Sequence, residues 1–281
     1  MRVFLNSYPK SGTNLVQRLL DLMGIDYSQK SVAGSSINGT HRTVKKLIRG
    51  PLFSNSLVPV GLDTSAVVKY SWIMNYIDDV KSMSYVTGHA PYSDVLYSAL
   101  QHHQYKCIQV IRDPRGILNS FMRFAVEDQY SWNIFHRYFR SLSKEELAAF
   151  IVHGGLDPMS GVYHESFSNS LLASTAWARK ENVLVIRFED LIGEKGGGDS
   201  LAQVRVIENT ADFLGVDVSR EKITEIQDNL FGKSHTFRSG SIDKFKQSLS
   251  GELMNELSGM LKDNSELVRL GYIDDEGVWV I

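Results

Sequence analysis

Lys10 stands in the run Tyr8-Pro9-Lys10-Ser11-Gly12-Thr13-Asn14, between a short apolar segment, Val3-Phe4-Leu5, and the spaced apolar residues Leu15, Val16, Leu19, Leu20, Leu22 and Met23. The first segment is of strand type and the second has the spacing of a buried helix face, so the sequence predicts strand, tight loop and helix in immediate succession. Such a loop offers what an anion needs. Amides at a helix N-terminus lack intrahelical partners and the helix dipole favours negative charge there. Ser11, Thr13 and Asn14 add side-chain donors beside the mobile charge of Lys10. An ordinary turn with a solvated Lys would have the same outline; the density of donors around one Lys favours a phosphate or sulfate cradle. The loop is not a Walker A motif, which sets Lys after the glycines as G-x-x-x-x-G-K-[ST]. Here Lys10 precedes Ser11-Gly12.

Three further stretches carry residues suited to the same chemistry. In Val110-Ile111-Arg112-Asp113-Pro114-Arg115-Gly116-Ile117-Leu118-Asn119-Ser120, an Arg ends a predicted strand, where open α/β sheets bind ligands. Its planar fork can pair a phosphate while Ser120, on the following helix, adds a hydroxyl. Taken alone, Arg-Asp-Pro is a common turn. Thr87-Gly88-His89-Ala90-Pro91 places a His after another strand. A lone His there is more often structural, yet an imidazole titrating near pH 6.5 suits the removal of a proton from an alcohol. The polar loop Lys233-Ser234-His235-Thr236-Phe237-Arg238-Ser239-Gly240 reads in isolation as solvated.

Taken together, these stretches carry a resemblance. Tyr-Pro-Lys-Ser-Gly-Thr resembles the 5′-phosphosulfate-binding loop of the sulfotransferases that use 3′-phosphoadenosine 5′-phosphosulfate (PAPS). Arg112 followed by Ser120 resembles their 3′-phosphate-binding motif. Between the two, that family carries Thr-His-x-Pro, matched here with Gly88 added. Arg238-Ser239-Gly240 is similar to its late Arg-Lys-Gly segment, with Ser239 in place of Lys. Leu15 and Phe188 stand where many cytosolic members have Trp and Tyr, and Gly116 replaces an acidic residue, so the chain looks like a bacterial-type member.

The resemblance implies in-line transfer of the sulfuryl group from PAPS to a hydroxyl, or to an amine, releasing 3′-phosphoadenosine 5′-phosphate (PAP). It implies His89 as general base and Lys10 as the group that stabilises charge on the leaving phosphate oxygen, with Ser11 holding Lys10 back until acceptor binds. Gly12, Thr13 and Asn14 would hold the 5′-phosphate, Arg112, Ser120, Arg238 and Gly240 the 3′-phosphate, and the Phe188 ring the base. No metal is implied, and no His/Cys/Asp cluster with ligand spacing appears in the sequence.

The elements that would position these residues alternate along the chain. Strands are predicted at Ala66–Tyr70, Ser84–Thr87, Lys106–Ile111 and Val183–Phe188, and helices at Tyr92–His103, Arg115–Val126, Ser200–Leu214 and Ser219–Leu230. Tyr27–Asp63, rich in Ser, Gly and Asn, reads as a long loop with a basic helical patch at Arg42–Arg49; Tyr130–Lys180 reads as helical with breaks. Strands alternating with helices indicate an α/β fold, a central mainly parallel sheet flanked by helices on both faces. With the resemblance, this is the P-loop NTPase-like sulfotransferase fold.

Composition bounds the rest. The 281 residues, 43% apolar, suffice for one substantial core, so a single domain over 1–281 is expected. A formal net charge of −2 argues against a general nucleic-acid binder and makes any anion site local. The lone Cys107 excludes an internal disulfide and lies in an apolar strand. No apolar run approaches the roughly 20 residues of a membrane helix, and the N-terminus leads straight into the first strand, which together predict a cytoplasmic protein. The resemblance implies a small-molecule, carbohydrate or lipid hydroxyl as acceptor, selected by Tyr27–Asp63 and Tyr130–Phe167; its identity and the oligomeric state are not encoded legibly. Two other readings remain open at this level, a P-loop-like nucleotide kinase needing Mg²⁺ and ATP, and a non-catalytic nucleotide-binding protein.

Overall fold

The apolar run at the N-terminus forms β1 (Arg2–Ser7), the middle strand of a five-stranded sheet. In this computed structural model, residues 1–33, 57–64, 66–131, 133–232 and 250–280 are described. The remaining strands are β2 (Asp26–Val32), β3 (Leu57–Pro59), β4 (Val67–Lys69), β5 (Ser84–Gly88), β6 (Tyr105–Ile111), β7 (Gly155–Leu156), β8 (Tyr163–His164) and β9 (Val183–Arg187). The sheet runs β2-β5-β1-β6-β9 and every pairing in it is parallel. Two antiparallel pairs, β3 with β4 and β7 with β8, stand apart from it.

Side chains alternate across β1 and divide the core between the two faces. Val3 and Leu5 join the buried residues of the helices Thr13–Leu22, Ser200–Leu214 and Arg220–Leu230. Phe4 points the other way, into a cluster with Ile73, Ile77, Leu96, Leu100 and Trp177 from the helices Tyr70–Asp78 and Asp94–His102 and the turn Ala176–Arg179. A third cluster, built on the helices Pro114–Ala125, Lys144–His153, Phe167–Thr175 and Gly251–Leu261, packs beside the strand ends around Tyr8 and Ile111. Helices on both faces of a parallel sheet are the α/β architecture expected from the alternation of elements.

Two expectations change. The segment Ala66–Tyr70 does not enter the central sheet: Val67–Lys69 pairs antiparallel with Leu57–Pro59. The sheet's second strand in chain order is instead Asp26–Val32, all but its first residue within the stretch read as loop. It is an edge strand whose residues other than Val32 are at least partly exposed, so it needs little apolar sequence and gives little periodic signal. Cys107 is buried in β6 as expected, its thiol pushed up to about 12 by burial.

The extra Gly88 before His89 has a steric reason. Gly88 pairs with Asn6 on one side and Val32 on the other. A Cβ there would lie 2.6 Å from the Phe4 ring and 2.9 Å from Asn6 Oδ1. Only glycine lets β5 lie this close at the point where the chain turns toward His89.

Candidate active site

All of the site segments within the described residues leave the sheet at one edge. Ser7 ends β1, three residues before Lys10, while Gly88, Ile111 and Arg187 end β5, β6 and β9 and are followed at once by His89, Arg112 and Phe188. Because β1 is central, with β5 and β2 to one side and β6 and β9 to the other, connections diverge from its carboxyl end and leave a crevice there.

The loop after β1 is locally strained and holds a buried hydroxyl with no hydrogen-bond partner. Lys10 adopts φ 73°, a left-handed conformation costing a non-glycine residue on the order of 1–3 kcal/mol. Its carbonyl accepts a hydrogen bond from Arg112 Nη1 at 3.2 Å, and its ammonium lies 4.5 Å from the centre of the Phe124 ring. Ser11 is fully buried, its amide held by the Tyr8 carbonyl at 3.1 Å, while its hydroxyl has no hydrogen-bond partner. The resemblance implies that Ser11 restrains Lys10; in this structure the Ser11 hydroxyl makes no hydrogen bond.

Gly12 caps the helix Thr13–Leu22 at φ 104° with no side-chain cap, so the first amides of that helix have no intrahelical acceptor. A Cβ on Gly12 would meet the Phe188 ring at 2.3 Å, which fixes this position as glycine on steric and conformational grounds alike. Thr13 Oγ1 bonds Ser7 Oγ at 2.6 Å, and Asn14 is exposed on the first turn. A buried orphan hydroxyl, an uncapped helix start and a neighbouring Lys together fit an oxyanion.

Arg112 comes next to this loop from β6. Its guanidinium sits 4.1 Å from the centre of the buried Phe188 ring, and burial works against its charge, with Glu189 and Asp113 opposing. Gly116 lies beneath it: a Cβ there would approach Arg112 Nε to 3.1 Å. Ser120 is half-buried, one turn further along the same helix face. The Phe188 ring, expected to face a base, is 5% exposed and packs between Arg112 and Gly12. Arg238 and Gly240, with Ser239, lie outside the described residues, as do His235 and the basic patch Arg42–Arg49.

His89 is fixed in orientation and tautomer. Nδ1 lies 2.9 Å from the Ser7 carbonyl oxygen. A carbonyl only accepts, so Nδ1 carries the proton and Nε2 the lone pair. The same Nδ1 is 3.3 Å from Ser7 Oγ, which links the imidazole to Thr13 and the phosphate-type loop. Burial holds the pKa below its ordinary 6.5, and the Lys10 charge acts in the same direction, against the Ser7 hydrogen bond and the charge of Asp63.

The residues that hold the His89 turn were not apparent from the sequence. Buried Asn6 donates Nδ2 to the Ala90 carbonyl at 3.1 Å and to Gln109 Oε1 at 2.8 Å, and accepts the Ala90 amide at 3.0 Å. Trp177 Nε1 donates to the same Ala90 carbonyl at 3.1 Å. The available signal was a polar residue inside each of two apolar strands, Asn6 in β1 and Gln109 in β6. Asn6→Ala is expected to lower unfolding free energy by about 2 kcal/mol, because it strands the Ala90 amide and Gln109 in the core. Urea denaturation reads this, and an unchanged midpoint would show that the turn holds without Asn6.

Among the described residues no group of three or more His, Cys, Asp or Glu gathers as a metal site, and no helix is long and apolar enough to cross a membrane. Among solved structures, the chain is similar to mouse sulfotransferase SULT7A1 complexed with PAP, at 15% identity over 96% of this chain and 86% of that one, with a TM-score of 0.56. It is also similar to retinol dehydratase in complex with androsterone and inactive cofactor PAP, at 17% identity over 94% of this chain and 80% of that one, TM-score 0.53. Among curated protein sequences none matches. At these identities the structural likeness speaks for the fold, while the model of the sulfotransferase domain matches residues 1–262, and the chain therefore belongs to the sulfotransferase family.

Proposed function

We propose that this sulfotransferase moves the sulfuryl group of PAPS to a hydroxyl of a small-molecule acceptor, with residues 1–281 working as one domain. The observation that carries this reading is the meeting, at one sheet edge, of the Lys10–Asn14 loop with His89, whose lone-pair nitrogen is Nε2. Nε2 takes the acceptor's proton as its oxygen bonds to sulfur. The bond from sulfur to the 5′-phosphate oxygen breaks, and the charge left on that oxygen is stabilised by Lys10 and the amides of Gly12, Thr13 and Asn14. The products are a sulfate ester and PAP, with the proton on His89.

Ser11 supplies its buried hydroxyl to the same phosphate. Arg112 and Ser120 take the 3′-phosphate together with Arg238 and Gly240, and Phe188 forms the apolar floor beneath the nucleotide. PAP is present in both similar structures named above. A small apolar alcohol is favoured as acceptor by the Phe124 ring beside Lys10, with the Tyr130 ring centroid 3.9 Å from that of Phe124, and by the androsterone in the retinol dehydratase structure. A cytoplasmic setting is part of this reading, supported by a lone cysteine that is buried.

Calorimetric titration with PAP, ADP and ATP, with and without Mg²⁺, tests the donor. Tight, metal-independent binding of PAP is expected; preference for ATP with Mg²⁺ would replace this reading by a kinase. Arg112→Ala is expected to weaken PAP about tenfold to a hundredfold, the range of hydrogen bonds to a charged group. Adenosine 5′-phosphate, which lacks the 3′-phosphate, should weaken far less. Equal weakening of both nucleotides would remove Arg112 from the 3′-phosphate.

A further inference from the structure

Glu189 directly follows Phe188, and Tyr272 lies beyond residue 262, where the family match ends; neither is among the residues singled out from the sequence. Both nevertheless reach the Arg112 turn. Ile111 pairs with Arg187 across β6 and β9, so the residues after each strand leave the sheet side by side. Phe188 passes under Arg112, and Glu189 Oε1 accepts the Asp113 amide at 3.0 Å. The other carboxylate oxygen accepts the Tyr272 hydroxyl at 2.6 Å. Tyr272 is fully buried, with the Arg187 guanidinium 4.9 Å from its ring centre.

The same C-terminal stretch grips the far side of the turn. The Trp279 ring lies 4.6 Å from the Arg115 guanidinium, and Arg115 pairs with the Asp113 carboxylate at 2.6 Å. Asp113, next to Arg112, is thereby held at its amide and at its side chain. Arg112 in turn donates to the Lys10 carbonyl, bracing the left-handed Lys10 backbone.

A carboxylate in this place is a poor choice for stability alone. Burial raises the Glu189 pKa, against the hydrogen bonds from Tyr272 and Asp113 and the charge of Arg112. Apolar residues of similar volume often stabilise as well as a buried ionic group or better. What they do not supply is direction: a fixed acceptor for the Asp113 amide and for the Tyr272 hydroxyl.

We propose that Glu189 and Tyr272 are positioning residues for the nucleotide site, fixing the Asp113 amide so that Arg112 is aimed at the 3′-phosphate and braces Lys10. This role rests on the PAPS reading above. Tyr272→Phe keeps the ring and removes the hydroxyl. By calorimetry, its Kd for PAP is expected to rise about tenfold and that for adenosine 5′-phosphate by less than about twofold, since only PAP engages Arg112. Glu189→Gln retains an acceptor for the Asp113 amide and is expected to keep most of the PAP affinity that Glu189→Ala loses. In nucleotide-free protein, the Arg112 Nε–Hε NMR resonance is expected to move in Tyr272→Phe.

Equal weakening of both nucleotides, or intact discrimination with only a lower Tm, overturns the proposal, as does an unmoved Arg112 resonance. If wild-type protein does not prefer PAP to adenosine 5′-phosphate, the donor reading falls and the aim at a 3′-phosphate with it. The Arg112 resonance then still decides whether Tyr272 sets Arg112.

Discussion

Lys10→Ala is expected to reduce turnover at least about a hundredfold, the size of effect seen when a preorganised group aimed at developing charge is removed. The ammonium acts on the leaving phosphate oxygen, whose charge grows as the bond to sulfur breaks. Its contribution is therefore larger in the transition state than in the bound donor, and turnover falls more than donor affinity. Two features make the position hard to replace. The backbone is held left-handed with its carbonyl on Arg112, so the direction of the side chain is set by another element. The ammonium rests near the Phe124 ring, an attractive and partly desolvated location for a cation. Lys10→Arg keeps the charge but exchanges a compact ammonium for a planar fork, and is expected to recover only a small part of the lost rate. Single-turnover kinetics with saturating PAPS separates this effect from product release. Turnover in Lys10→Ala close to wild type would assign the leaving-group charge to the loop amides alone.

The parts of this site that are local in sequence could be read from it, and the parts made by distant segments could not. The Lys10–Asn14 loop carries its donors within a few residues, so strand, break and helix start are all visible in order. The helix Ser200–Leu214 has the bounds its pattern predicts, and Pro114–Ala125 differs by one residue at each end from the expected helix. The edge strand Asp26–Val32 escapes because its polar residues are partly exposed, which looks like loop composition. Val67–Lys69 shows the converse. A three-residue apolar strand is recognisable, but nothing local says that its partner is Leu57–Pro59 rather than the central sheet. Asn6 and Gln109 meet only because β1 and β6 pair, and Glu189 meets Tyr272 only when the C-terminal stretch folds back. Such polar contacts specify geometry through residues far apart in the chain, where periodicity carries no information.

His89→Ala is expected to lower turnover by about a hundredfold or more, within the range of general acid–base groups, and to change the pH profile in a way that a structural His would not. The base must be unprotonated to accept the acceptor's proton, so kcat/KM falls as pH drops through the His89 pKa in the folded protein. Burial places that pKa below 6.5, with the Lys10 charge assisting. The wild-type enzyme should thus keep its full rate at neutral pH and lose it on an acid limb lying below pH 6.5. In His89→Ala this limb should disappear along with the rate. His89→Gln is the sharper variant: its amide can still donate toward the Ser7 carbonyl, so the turn is largely kept, but it offers no basic nitrogen. A folded His89→Gln protein that binds PAP normally and turns over slowly, without the acid limb, separates proton transfer from positioning. If either variant retains the limb and most of the rate, the proton goes elsewhere, and Asp63, whose charge is felt at His89, becomes the next group to replace.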